Sequence, residues 1–152
     1  MLAFDWQAPN EQPRSGIRVL DTARSGANPQ QSRLVVPQTL RAGPLSSPGS
    51  PVLSQDGSVL FASLATGPHG TQTVIARFSA ASGRLQAVLT RPAGAGSAAG
   101  YCGVLWASPD GHHLLTQCGT AQGAVTGDRY TPIRLPWLIP ASPVGSGNTF
   151  AW

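Results

Sequence analysis

An all-β fold built from antiparallel sheet follows from three features of the 152-residue chain: short runs in which apolar and polar residues alternate, glycine and proline punctuating those runs, and a strand-turn-strand unit that occurs twice. Helical spacing is not sustained, because few windows of helical length escape Gly or Pro. The 18 Gly and 14 Pro would mark low complexity if they were scattered, but they separate apolar runs as turn residues do. At 41% hydrophobic and 11% charged residues the composition is that of a globular chain.

The first predicted strand is the N-terminal alternation of Leu2, Phe4 and Trp6 with Ala3, Asp5 and Gln7. Further β-prone runs lie at 17–20, 59–64, 74–78, 85–89, 104–106 and 113–117. The stretch from Leu53 through Ser54-Gln55-Asp56-Gly57 to Phe61 returns from Ala107 through Ser108-Pro109-Asp110-Gly111 to Leu115, displaced by 54 positions. An Asp-Gly pair between apolar runs predicts a hairpin turn, since Gly takes a positive φ at little cost and Asp bonds its own turn backbone, so Asp56, Gly57, Asp110 and Gly111 are read as structural turn residues. A second correspondence, displaced by 58, matches Leu2 with Leu60 and Leu20 with Phe78. Each of these latter strands runs into a polar, Gly-containing turn, and residues from about 51 to 90 make one four-stranded meander.

Ser54-Gln55-Asp56-Gly57 and Ser108-Pro109-Asp110-Gly111, each followed by an apolar strand, resemble the repeats of bacterial WD40-like and TolB-like β-propellers. Gln55 stands where that pattern has Pro, and the Gly-His and Trp-Asp pairs of eukaryotic WD repeats are absent. The resemblance implies antiparallel four-stranded propeller-type blades, here an incomplete β-propeller: 1–50 a partial blade and linker, 51–100 a blade and Gly-rich linker, 101–152 a partial blade and C-terminal segment. A period near 55 leaves fewer than three blades, too few to close a ring. We therefore expect a start assigned within a longer frame, a truncated product, or a chain that completes its ring with another copy and self-associates through open blade edges.

Candidate chemistry is sparse. The chain has no Gly-x-Ser-x-Gly elbow, and His69, His112 and His113 sit beside turn residues without a spaced Ser and Asp. The spacing of Gly94, Gly96 and Gly100 precedes a strand rather than the helix start that a phosphate cradle requires. Cys102, His112, His113 and Cys118 flank one hairpin, but adjacent histidines in a strand point to opposite faces and suit zinc poorly. A disulfide between Cys102 and Cys118 fits better and depends on register. If Ser108 pairs with His112, Cys102 faces Cys118, with Trp106, Leu114 and Val104 on one apolar face; if Ala107 pairs with His112, Cys102 faces Gln117. Trp137, in a proline-bounded apolar segment, is the interface candidate.

The net charge of +4 comes from arginines scattered without a stripe, which argues against nucleic acid. No stretch reads as a membrane span, and an extracytoplasmic location is favoured only if the cysteines are bridged. The expected function is a non-enzymatic scaffold for a protein or peptide partner, with no catalytic residue, cofactor or metal. The alternatives are a part of a larger propeller enzyme or ligand-binding protein whose site lies in other blades, and a non-functional remnant.

Overall fold

The computed structural model describes residues 1–7, 14–40, 43, 45–66, 72–89, 99–109, 113–120, 125–132 and 142–144. Among them there is no α-helix; the 3-10 turn Pro29–Gln31 is capped by Asn28, whose side chain accepts from the Gln30 N–H. The strands among them all pair antiparallel, as the all-β reading predicts.

The first sheet holds β1 (Leu2–Trp6), β2 (Gly16–Leu20) and β3 (Arg33–Pro37) in that order. The second holds β4 (Ser46–Leu53), β5 (Val59–Thr66), β6 (Gln72–Ser79) and β7 (Leu85–Val88). The third holds β8 (Ala99–Ala107), β9 (His113–Thr120), β10 (Val125–Pro132) and β11 (Ser142–Val144). Each is a meander in chain order, and the second sheet begins at Ser46, ahead of the boundary expected at residue 51. Gly100, read as part of a Gly-rich linker, lies within β8.

The two sequence correspondences recur in the ladders. Leu2 pairs with Leu20 in the first sheet as Leu60 pairs with Phe78 in the second, so β1 and β2 are the counterparts of β5 and β6. Leu53 pairs with Leu60 as Ala107 pairs with Leu114, so β4 and β8 are counterparts as well. Both strands are bulged, between Gly49 and Val52 in β4 and between Val104 and Trp106 in β8, which makes Pro51 and Leu105 equivalent positions. The bulge turns Leu105 outward, 48% exposed.

It also corrects the expected face of the third sheet. Val104, Ala107 and Leu114 share one buried cluster, whereas Trp106 pairs with Leu115 on the opposite face, because the extra residue reverses the alternation between Val104 and Trp106.

The sheets stack face to face. β4 lies against β1 and β2, and β8 against β4, β5 and β6. Strand alternation divides β5 and β6 between two cores. Leu60, Ala62, Leu64, Val74, Ala76 and Phe78 join Ile17, Val19, Val35 and Val36 of the first sheet. Phe61 and Ile75 join Val104, Ala107 and Leu114 of the third. The second sheet is thus buried on both faces, which accounts for the nearly continuous burial along β5.

Candidate functional site

The best-defined polar constellation is the turn that opens each repeat. In the first copy the Ser54 N–H donates to the Val59 carbonyl at 2.9 Å, closing a loop over residues 55–58, and the Val59 N–H donates to Ser54 Oγ at 3.0 Å. Ser54 Oγ donates to Asp56 Oδ1 at 2.5 Å, and Asp56 also accepts from the Ser58 N–H at 3.1 Å and the Ser58 hydroxyl at 2.7 Å. Gly57 completes the turn at φ +69°. The hydrogen bonds from Ser54 and Ser58 lower the Asp56 pKa to about 2, since they favour its charged form.

In the second copy the Ser108 N–H donates to the His113 carbonyl at 2.9 Å and the His113 N–H to Ser108 Oγ at 2.8 Å, the same closure. Asp110 and Gly111 themselves lie outside the described residues, as do His69, His112, Gly94, Gly96 and Trp137. The Asp-Gly pair marks the turn in the sequence, and the structure adds the serine. Its signal was the Ser two residues ahead of each Asp, a position from which a hydroxyl reaches the strand that follows the turn.

A second cluster ties the sheets together at their first strands. Asp5 of β1 accepts from the Ser50 N–H of β4 at 3.1 Å. Partial burial raises the Asp5 pKa above its ordinary value, opposed by the hydrogen bond from Ser50. Ser63 Oγ donates to the Gly49 carbonyl at 2.9 Å, and Ser47 and Ser50 take left-handed φ values of 47° and 49°. A Cβ added at Gly103 of β8 would stand 3.1 Å from Ser50 Oγ, so glycine permits the close approach of the third sheet. The corresponding tie between the second and third sheets is Thr73 of β6, whose hydroxyl accepts from the Cys102 N–H and donates to the Cys102 carbonyl. Arg33 of β3 donates to the Ala80 and Ala81 carbonyls at 2.7 and 2.8 Å, joining the first sheet to the turn after β6.

Cys102 stands directly across from Cys118 in the β8 to β9 ladder. Near the turn the pairing is that of Ala107 with Leu114, and the bulge at Leu105 shifts it into the register that opposes the two cysteines. Cys102 is disulfide-bonded, and no cysteine among the described residues is free. Its sulfur is therefore no metal ligand, and no group of three metal-ligating side chains occurs among the described residues.

Arg77 of β6 drew no attention in the sequence. It lies opposite Phe61 and Ala87, and its Nε is buried without a hydrogen-bond partner. An arginine in an apolar alternation was the available signal.

Among the described residues no helix is long and apolar enough to cross a membrane. Comparison with protein-family models, curated proteins and solved structures finds no match to this chain.

Proposed function

We propose that the chain is a non-enzymatic interaction module, a stack of propeller-type β-meanders that presents loops and sheet edges to a protein or peptide. The supporting observation is that the polar side chains described at the turns and between the sheets serve the protein's own backbone. Ser54, Asp56, Asp5, Thr73 and Arg33 each bond a turn, a strand or the neighbouring sheet. Such use builds a rigid frame rather than a reactive centre, and rigid frames position binding loops. The bridged state of Cys102 favours an oxidising, extracytoplasmic setting for that role.

The test is selection from a displayed library of random peptides on the immobilised, oxidised chain, with the reduced and denatured chain as counter-selection. Peptides that bind only the folded form are the expected result. Failure of any sequence to enrich over the denatured control would overturn the reading.

A further inference from the structure

We propose that the bridge from Cys102 to Cys118 is a register lock: opening it lets β8 slide one residue along β9, so that the bulge at Leu105 disappears and β8 parts from β4. The lock does not depend on what the loops bind.

A strand's register is normally held by its apolar pattern, because a one-residue slip turns every side chain to the other face. Over the stretch that would move, that pattern does not choose. Val104 is buried in the cluster shared with the second sheet, and Leu105, the next residue, is turned outward by the bulge at 48% exposure. Sliding residues 101–105 by one carries Leu105 into the place of Val104 opposite Thr116, one aliphatic side chain for another. The pairing near the turn, Trp106 with Leu115 and Ala107 with Leu114, is already offset by one residue from the pairing beyond the bulge, and the slide continues it along the strand. A second irregularity, between Ala99 and Tyr101, lies at the far end to take up the shift.

The backbone is as indifferent as the core. Cys102 donates its N–H to Thr73 Oγ1 of β6, and its carbonyl accepts from that hydroxyl at 3.2 Å. Both backbone groups therefore point away from β9, which makes Cys102 and Cys118 a non-hydrogen-bonded pair, with Cα atoms about 4.5 Å apart in the usual geometry. After the slide Gly103 takes that place opposite Cys118, its own N–H and carbonyl turned toward Thr73.

What the slide cannot keep is the disulfide, since Cys102 moves opposite Gly119 and onto the other face. The chain has two cysteines and Cys102 is bridged, so the closed bridge admits only the bulged register. The slide also brings Val104 to the place of Gly103, where a Cβ would stand 3.1 Å from Ser50 Oγ. A valine there pushes β8 away from Ser50 of β4. Crowding at Ser50 opposes the slide, while burial of Leu105 favours it, and the bridge decides between them. The oxidation state of the pair thus sets how closely the second and third sheets meet at their first strands.

The test is NMR of the full, isotopically labelled chain before and after dithiothreitol. This dithiol opens the bridge by exchange, leaving two protein thiols and its own cyclic disulfide. In the oxidised chain the Hα atoms of Cys102 and Cys118 should give a cross-strand NOE. On reduction that cross-peak should be lost and one between the Hα atoms of Gly103 and Cys118 should appear, with the Leu105 methyls withdrawn from a soluble paramagnetic probe. Cys102→Ser combined with Cys118→Ser should do the same without reductant. Leu105→Asp, whose carboxylate is unfit for the place of Val104 in the apolar cluster, should keep the Cys102 to Cys118 cross-peak after reduction. A reduced parent chain that keeps that cross-peak alone, one that shows neither, or a Leu105→Asp chain that slides as the parent does would each overturn the proposal.

Discussion

Ser54 and Asp56 show how two side chains hold a hairpin. Ser54 is buried and accepts from the Val59 N–H, so deleting its hydroxyl strands a backbone donor at the start of β5. Ser54→Ala should therefore destabilise the chain by about 1 to 3 kcal/mol, the cost of an unsatisfied buried group, and Ser54→Thr should recover most of it. The same hydroxyl is the first cause of the low Asp56 pKa. A carboxylate whose pKa falls from 3.8 to about 2 on folding contributes stability that is fully present above 3.8 and lost as pH falls through 2. The Ser58 and Val59 amide shifts, followed by NMR from pH 5 downward, should titrate with a midpoint near 2, and Ser54→Ala should move it up toward 3.8. A midpoint unmoved by that substitution would mean that the Ser54 contact does not bias the carboxylate. Asp5 works in the opposite sense: its raised pKa means that ionising it on passage to neutral pH costs stability, a cost the Ser50 hydrogen bond partly offsets.

At the scale of strands and hairpins, the β8 to β9 pair is the element whose staple can be removed. A bridge between Cys102 and Cys118 closes a loop of roughly 15 residues, for which restriction of the unfolded chain gives about 3 kcal/mol. Reduction, or replacement of both cysteines by Ala, should lower the stability of the transition that unfolds the third sheet by an amount of that order, read as a lower denaturant midpoint. Equal midpoints with and without reductant would remove the bridge from the account of this element.

This pair also marks the limit of what was legible in the sequence. β5 and β6 are apolar, β-prone runs free of Gly and Pro and were expected nearly as they stand. The whole of β4 upstream of Val52, with its Ser46-Ser47-Pro48-Gly49-Ser50-Pro51, was not, since Pro and Gly are residues that strands disfavour. Pro is tolerated there because β4 is an edge strand and bulged, properties set by its neighbours rather than by its own residues. For the same reason the opposition of Cys102 and Cys118 was one of two open registers. Neither included a bulge at Leu105, yet that extra residue decides both the cysteine pairing and the side of the sheet that Trp106 takes. The turn serines were legible but went unread. Arg77 was legible as an arginine within an apolar run, but the burial of its Nε was not, because nothing local reveals that the strand is covered on both faces.

For the molecule as a whole, the second sheet is the keystone, since both apolar clusters run through β5 and β6. These two strands are also interior in their sheet, each with a neighbour on either side, whereas β1 and β7 are edges. Opening the β5 to β6 pair requires both cores to separate, so its amides should exchange only through the largest opening the chain undergoes. Native-state hydrogen exchange should find the slowest amides within residues 60–64 and 74–78, with β1 and β7 faster. Phe78→Ala sharpens the test. Phe78 is 0% exposed in the cluster shared with the first sheet, and its truncation should cost about 3 to 5 kcal/mol. Leu105→Ala, at the outward bulge, should change stability by no more than about 0.5 kcal/mol. If the sheets form one cooperative stack, Phe78→Ala lowers protection in β2 together with β5 and β6, because Ile17 and Val19 pack into the same cluster. Loss of protection confined to the second sheet would show instead that each meander opens alone, and the stack would then be three weakly coupled units rather than one frame.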